Sequence, residues 1–242
     1  MQLESPISIL VPPPQEYLNS FRKIFTYVKS ATDGKKVIYT PIPYNYEKII
    51  RDYSIQNKKT LVTLVNTYFT GYQYDLRIKS VRWFLENHPN DILFYGKGWI
   101  QLKQNLSSEA QKTFDSQYQG YADDKIEVVS KSKFSLAYEN FSYPDYVTEK
   151  IFDVMAAGSV PIYAGAPNIT DHVPSACFIN YNDFKSHEEL YHFLTTMDDA
   201  TYQKYLNCIQ NFMANPEKNP NHYKNVANKI LKHLKKDKFS LF

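Results

Sequence analysis

A chain of 242 residues is long enough to bury one large hydrophobic core or two small ones. Apolar residues make up 43% of the chain and aromatic residues 16%, which excludes a mainly disordered protein. The net charge is only +3, and the basic excess lies in the tail, at 229–238, so binding to nucleic acid is not expected.

The N-terminal residues 1–56 are predicted to form a partial N-terminal segment that ends in a hinge. Three prolines at 12–14 break regular structure, and the apolar spacing over 17–30 predicts a helix. A short strand is expected at 37–39, and a second short helix at 46–53.

The remaining residues, 57–242, alternate between apolar strand-like runs and amphipathic helical runs. Strands are predicted at 61–65, 92–95, 134–138, 160–163 and 176–181. Helices are predicted at 76–87, 124–130, 148–157, 187–197, 201–213 and 223–234, with a variable loop and a helix between 99 and 122. This rhythm predicts an α/β fold with a Rossmann-like, doubly wound parallel sheet.

One junction in this alternation has the pattern of a nucleotide site. A polar, aromatic loop runs from Glu139 to Tyr146, between a predicted strand and a predicted helix. Thr148 is predicted to cap that helix, and Glu149 suits the positive end of its dipole. A helix N-terminus at the carboxyl end of a parallel strand is where α/β sheets bind phosphate.

The two cysteines, Cys177 and Cys208, have neither metal-ligand spacing nor CxxC spacing. Cys177 is predicted to be a buried thiol, with a structural disulfide left as a possibility. The chain shows no apolar run of about 20 residues and no basic signal region, so a cytoplasmic protein without a membrane span is predicted. A Golgi-lumen location is expected only if an anchor lies upstream. Without a secretory signal, the sequons that begin at Asn105, Asn140 and Asn168 are interpreted as chance matches.

The stretch FSLAYENFSYPDYVTEKIFDVMAAGSVPIYAGAPN, followed by FINYNDF, resembles the signature of the α1,3/α1,4-fucosyltransferases, glycosyltransferase family 10. The likeness is strong over 130–185 and colinear over 60–98. It implies a GT-B type fold, in which two Rossmann-like lobes enclose the active site and the C-terminal lobe binds GDP-fucose. The N-terminal lobe of such a protein would be reduced or missing here. The resemblance also implies that no divalent metal or other cofactor is required.

The resemblance and the residue chemistry together assign a set of side chains to GDP-fucose: Arg77, Glu139, Asn140, Tyr146, Glu149 and Lys150. Arg77 and Lys150 would neutralise the diphosphate. Glu149 would accept hydrogen bonds from the ribose hydroxyls, and Tyr146 would contact the nucleotide. Asn140 would reach the phosphate region with Glu139 beside it, or either residue would cap the loop instead.

The predicted function is transfer of fucose from GDP-fucose to a hydroxyl of a saccharide acceptor, with inversion and without a metal. The general base stays unassigned, because Glu4, Glu16 and Glu47 are the only glutamates before the donor lobe and none matches a family motif. The alternative is a nucleotide-sugar-binding module without turnover of its own, which would act with a missing N-terminal lobe or a partner chain.

Overall fold

The computed structural model describes residues 15–45, 58–68 and 74–239. The prolines at 12–14 and the helix predicted at 46–53 lie outside the described residues.

The described part of the N-terminal segment, 15–45, contains one short α-helix, two short strands and a 3-10 turn at Lys29–Ala31. Helix α1 spans Gln15–Asn19, strand β1 spans Ile24–Thr26, and strand β2 spans Val37–Tyr39. The two strands pair in parallel, with Ile24 opposite Val37. The prediction of one helix over 17–30 is therefore wrong. Its C-terminal half is β-prone and finds a strand partner further along the chain, and this pairing outweighs the local helical spacing.

The main sheet in the described part of the chain has five strands, all parallel. They are β3 (Thr60–Val65), β4 (Ile92–Tyr95), β5 (Ser132–Tyr138), β6 (Val160–Ala164) and β7 (Ile179–Asn180). Their order across the sheet is β4-β3-β5-β6-β7. The chain thus adds β4 on one side of β3 and all later strands on the other side. This reversal between β3 and β5 is the point at which doubly wound sheets bind ligands, at the carboxyl ends of the strands.

Helices cover both faces of this sheet. They are α2 (Tyr74–Asn87), α3 (Ile100–Lys103), α4 (Ser108–Gln117), α5 (Lys125–Ser130), α6 (Glu149–Ala156), α7 (His187–Thr196), α8 (Asp199–Ala214) and α9 (Tyr223–Phe239). Strands β5 and β6 are buried along almost their whole length, as expected for a parallel sheet covered on both faces. The predicted α/β class and doubly wound parallel sheet are confirmed.

Two predictions about the region around β7 need correction. The strand predicted at 176–181 is only Ile179–Asn180, because short 3-10 helices at Ser175–Cys177 and Tyr181–Asp183 flank it. Cys177 is buried as predicted but is not a thiol: it forms a disulfide with Cys208, with the two Cα atoms 5.2 Å apart. Residues 31 positions apart meet here because α8 packs against the turn that precedes β7.

Asp145 and the start of α9 are two of the places at which the N-terminal segment contacts the main sheet unit. The Asp145 carboxylate receives the Lys29 ammonium at 2.8 Å, the Tyr39 hydroxyl at 3.1 Å and the ring of His172 at 3.1 Å. Near the start of α9, the Tyr44 N–H donates to the Asn221 carbonyl at 2.7 Å. A domain boundary at 56/57 stays a prediction.

Candidate functional site

A cavity of about 610 Å³ lies at the carboxyl ends of β3, β4 and β5, where the strand order reverses. Four segments contribute described residues to its lining: the loop after β3, the loop after β4, the connection from α4 into the start of α5, and the junction between β5 and α6. The polar side chains that line it are Asn66, Thr67, Lys97, Tyr121, Lys125, Asn140, Glu149 and Lys150. Three lysine ammonium groups and one glutamate carboxylate give this lining a net positive charge, which favours an anionic ligand.

The loops after β3 and β4 are held together by a glycine that no other residue could replace without strain. Gly96 has a φ of +125°, and a Cβ atom there would lie 1.9 Å from the Asn66 carbonyl oxygen. The Gly96 N–H donates to the Gly120 carbonyl at 2.7 Å, and the Tyr118 hydroxyl donates to the Gly96 carbonyl at 2.8 Å. This close approach places the next residue, Lys97, at the cavity.

The loop between β5 and α6 is fixed from inside by Glu139. This carboxylate is fully buried; one oxygen accepts from the Thr148 N–H at 2.8 Å and the other from the Thr148 hydroxyl at 2.7 Å. The predicted N-cap position of Thr148 is confirmed, but its hydroxyl donates to Glu139 and makes no side-chain cap bond to the helix. These contacts fix the loop from inside, and a position of Glu139 beside the phosphate region stays a prediction.

Lys150 lies in the first turn of α6 and is surrounded by acceptors. Its ammonium is 2.8 Å from the Thr148 hydroxyl, 3.2 Å from a Glu139 oxygen and 3.3 Å from a Glu149 oxygen. Burial acts to lower the pKa of this ammonium, and the carboxylates of Glu139 and Glu149 outweigh the burial and raise it. Lys150 is therefore a fixed cation at the cavity wall, with only 12% of its side chain exposed.

Glu149 supplies the one carboxylate of the lining. Burial acts to raise its pKa, and the neighbouring Lys150 ammonium reverses the shift and lowers the pKa below its ordinary value. The group is thus ionised at neutral pH and can accept two hydrogen bonds. Its position at the N-terminal end of α6 also suits the positive end of the helix dipole.

Asn140 reaches the cavity with its amide held in one orientation by Arg77. The Arg77 side chain is 1% exposed, and its Nη2 donates to the Asn140 Oδ1 at 2.9 Å and also to the Tyr138 carbonyl. Because a guanidinium can only donate, the Asn140 amide oxygen must face it, which leaves the amide Nδ2 as the donor available for a ligand.

The six predicted site residues therefore separate into two layers. Asn140, Glu149 and Lys150 line the cavity. Arg77, Glu139 and Tyr146 are buried behind that lining. Tyr146 packs 5.7 Å from the ring of Tyr27 and 6.5 Å from that of Phe141, at the contact with the N-terminal segment. Direct contacts of Arg77, Glu139 and Tyr146 with a nucleotide stay predictions.

The sequence-based predictions did not include five polar residues of the lining: Asn66, Thr67, Lys97, Tyr121 and Lys125. Lys97 follows β4 within the sequence Gly96-Lys97-Gly98, a glycine signal that could have indicated a ligand loop. The Lys125 ammonium pairs with an Asp153 oxygen at 2.7 Å. Tyr121 is 70% exposed, and the Lys97 ammonium lies 6.0 Å from the centre of its ring.

Within 15–45, 58–68 and 74–239, no group of three or more His, Cys, Asp and Glu side chains is arranged to hold a metal ion. Over the same ranges, every helix is too short or too polar to cross a membrane.

Comparisons with known proteins identify the family of the chain. Residues 56–240 match the family described as "Glycosyltransferase family 10 (fucosyltransferase) C-term". A 4-galactosyl-N-acetylglucosaminide 3-alpha-L-fucosyltransferase 9 from Homo sapiens is 32% identical over 172 residues, which is 68% of this chain and 46% of that protein. The Rattus norvegicus protein of the same name is 30% identical with the same coverage. The chain thus spans about half the length of these relatives.

Solved structures share the fold at low sequence identity. A crystal structure of an α1,3-fucosyltransferase superposes with a TM-score of 0.60 at 18% identity, covering 90% of this chain and 67% of that one. Anabaena Alr3699/HepE, solved with UDP and glucose, gives a TM-score of 0.60 at 11% identity, with 97% and 70% covered. These matches confirm the predicted fold class, a GT-B type unit with a parallel sheet.

Proposed function

Because the chain belongs to glycosyltransferase family 10, the fucosyltransferase family, we propose that it binds GDP-fucose in the 610 Å³ cavity and takes part in fucosyl transfer to a saccharide hydroxyl. The observation that carries this proposal is the meeting of Lys97, Lys125 and Lys150 at the switch point of the sheet. The relatives named as 3-alpha-L-fucosyltransferases support the choice of sugar.

The diphosphate of the donor would lie between the three lysines and the N-terminal end of α6. Backbone N–H groups and the helix dipole favour a phosphate there, and each ammonium adds a charge-assisted contact. The Asn140 Nδ2, oriented by Arg77, is a neutral donor beside them. These positive groups and hydrogen-bond donors complement a diphosphate, in which both phosphates carry negative charge.

The nucleoside would extend from this position toward Glu149 and Tyr121. The ionised Glu149 carboxylate can accept hydrogen bonds from both ribose hydroxyls. The exposed Tyr121 ring offers a flat apolar surface on which a purine base can stack. In this arrangement Glu139, Arg77 and Tyr146 are positioning residues, which hold the lining from behind.

The proposed reaction breaks the bond between the fucose C1 and the diphosphate oxygen while the acceptor hydroxyl attacks C1 from the opposite face, which inverts the configuration. Negative charge then develops on the departing GDP. Fixed cations that already surround the diphosphate stabilise this charge without reorganisation, and we propose that the lysines do so without a metal. The acceptor proton passes to a general base that the described residues do not identify.

A second candidate is a nucleotide-sugar-binding unit that turns over only as part of a larger protein or assembly. The observation that favours it is coverage: the chain matches 46% of each relative's length. Glu16, the one N-terminal glutamate among the described residues, is exposed on α1 and is absent from the cavity lining.

Calorimetric titration with GDP, GDP-fucose and UDP tests the binding that both candidates share. We expect GDP and GDP-fucose to bind at one site per chain, and absence of GDP binding would contradict both candidates. GDP release is then measured with and without a saccharide that ends in galactosyl-N-acetylglucosamine, the unit in the relatives' names. Acceptor-dependent release supports the transferase, whereas binding without it leaves the binding unit.

A further inference from the structure

We propose that Asn105 carries an N-linked oligosaccharide in the mature protein. Two observations carry this inference, the Cys177–Cys208 disulfide and the different environments of the three sequons. The proposal concerns a surface modification and does not depend on the nucleotide site or on fucosyl transfer.

The disulfide indicates the compartment. Cys177 is fully buried, and its bond to Cys208 joins the turn before β7 to α8. Disulfides of this structural kind form and persist in the oxidising secretory pathway and are rare in the cytosol. Sequons are modified in that same pathway, so the chance interpretation of all three loses its main support.

Asn105 is the sequon asparagine whose surroundings tolerate a glycan. It is exposed in the turn between α3 and α4, and its Nδ2 donates one long bond of 3.4 Å, to the Gln101 carbonyl. Ser107, which completes the sequon, is also exposed and caps α4 by accepting from the Ala110 N–H at 3.3 Å. A sugar on Nδ2 would extend from an exposed residue outside the cavity lining and would leave one N–H for the Gln101 carbonyl.

Asn168 has no spare amide hydrogen. Its Nδ2 donates to an Asp145 oxygen at 3.1 Å and to an Asp171 oxygen at 2.9 Å, and its Oδ1 accepts from the Asp145 N–H at 2.8 Å. A glycan would replace one of the two Nδ2 hydrogens and break the hydrogen bond to Asp145 or the one to Asp171. The free energy lost with one of these hydrogen bonds to a carboxylate argues against modification at this position.

Asn140 is excluded by its place in the cavity. Its amide oxygen accepts from Arg77, its Nδ2 side faces the 610 Å³ space, and Ser142 of the same sequon donates to the Gly165 carbonyl at 3.0 Å. An oligosaccharide there would fill the cavity. Of the three sequons, only the one at Asn105 can carry a glycan without disturbing the contacts described above. Glycans at Asn140 or Asn168 would disturb the cavity or the hydrogen bonds around Asp145.

The modification itself needs a lipid-diphosphate-linked oligosaccharide as co-reactant. A bond forms between the Asn105 Nδ2 and C1 of the first sugar, and the bond from C1 to the diphosphate oxygen breaks. One Nδ2 proton is released and the lipid diphosphate leaves with the electron pair. No oxidant or reductant is involved.

Mass spectrometry on the whole protein, purified from its source organism, tests the proposal directly. Enzymatic deglycosylation in ¹⁸O-labelled water converts a glycosylated asparagine into labelled aspartate. The three sequons lie on separate tryptic peptides, 104–112, 134–150 and 151–185, so each is scored alone. We expect label at Asn105 and none at Asn140 or Asn168. An unlabelled Asn105, or label at Asn168 or Asn140 to the same extent, overturns the proposal.

Variants of the complete coding sequence, expressed in eukaryotic cells, provide matched controls. Asn105→Gln and Ser107→Ala should each remove a gel shift that deglycosylation also removes, whereas Ser107→Thr, which keeps the sequon, should retain it. Asn168→Gln should leave the shift unchanged. The shift is scored in total cell extract, so a variant that fails to fold is still informative. Loss of the shift in Asn168→Gln, or its persistence in Asn105→Gln, contradicts the assignment.

Discussion

Lys150 gives a sharp test at the scale of one residue, because three oxygen atoms hold its ammonium at the cavity wall. Lys150→Ala is expected to weaken GDP binding by about 1.5–3 kcal/mol, the range for a hydrogen bond to a charged group. Calorimetry measures the loss, and thermal unfolding shows whether the change stays local. The matched control is Lys131→Ala, which removes an exposed lysine paired with Glu127 outside the lining. Equal GDP affinity in the two variants would remove Lys150 from the site.

Tyr121 tests the proposed position of the base. Its ring lies at the cavity and is solvent-exposed, which is unusual for a large apolar group among the described residues. Tyr121→Ala is expected to weaken GDP binding by about 1–3 kcal/mol, the range for stacking of a base on an aromatic ring. Tyr121→Phe should bind GDP as the wild type does, and inorganic pyrophosphate, which has no base, should bind both variants equally well. Tyr223→Ala, at an exposed tyrosine of α9, is the control. If Tyr121→Ala weakened pyrophosphate binding as much as GDP binding, Tyr121 would not be the residue that stacks on the base.

At the scale of elements, the loop that carries the site is also the point of attachment for the N-terminal segment. Asp145 is buried, has a φ of 63°, and accepts from Lys29, Tyr39 and His172. Burial acts to raise the pKa of its carboxyl group, and the hydrogen bonds from Lys29, Asn168 and His172 reverse the shift and lower the pKa below 3.8. The ionised form is thus stabilised more in the folded protein than in the unfolded one.

A carboxyl group whose pKa is lower in the folded state than in the unfolded state stabilises the fold at every pH above its pKa in the unfolded state. This stabilisation is lost as the pH falls through the pKa of the group in the folded state. Asp145→Asn is therefore expected to lower the free energy of unfolding at pH 7 by about 1–3 kcal/mol, the cost of unsatisfied buried partners. The difference from wild type should shrink as the pH drops below about 4. Chemical denaturation at several pH values measures it, with Asp115→Asn as the exposed control. A difference that is constant from pH 7 to 3 would contradict this account.

The Cys177–Cys208 disulfide leads to a prediction about the stability of the elements around β7. It closes a loop of 31 residues, for which the chain-entropy model gives a stabilisation of roughly 3–4 kcal/mol. Cys208→Ser, and reduction of the wild type, are expected to lower the free energy of unfolding by this amount. Cys208→Ser should then be insensitive to added reductant, which serves as the internal control. If reductant leaves the unfolding of the wild type unchanged, the two cysteines are not bonded.

The elements also show why some features could be predicted from sequence and others could not. Periodic apolar runs predicted the strands and helices from 60 onward, since each run buries its own residues in one core. The helix predicted at 17–30 failed because Ile24–Thr26 pairs with Val37–Tyr39, a contact that no local window contains. Only part of the cavity lining was predicted, because local sequence patterns do not show which distant elements meet. The β5–α6 junction is one continuous stretch, whereas Lys97 and Lys125 reach the cavity from other elements.

At the scale of the whole molecule, the topology of the sheet explains the charge of the cavity. Strand order reverses between β3 and β5, so the loops after both strands diverge there and leave a crevice. Lys97, Lys125 and Lys150 reach that crevice after β4, at the start of α5 and at the start of α6. Lys125 pairs with Asp153, and Lys150 pairs with Glu139 and Glu149. Three separate connections thus supply the cations that a diphosphate requires.

This origin of the positive charge leads to a prediction about metals. If the lysines neutralise the diphosphate, GDP affinity should be the same with EDTA and with added Mg²⁺. It should also fall as ionic strength rises, because part of the lining is open to solvent. Lys97→Ala should make the salt dependence shallower, since one fewer charge pair is screened, whereas Lys131→Ala should leave it as in the wild type. Calorimetric titrations over a series of salt concentrations measure both effects. An affinity that depends on Mg²⁺ and is indifferent to Lys97→Ala would show that a bound cation, and not the lysine cluster, holds the diphosphate.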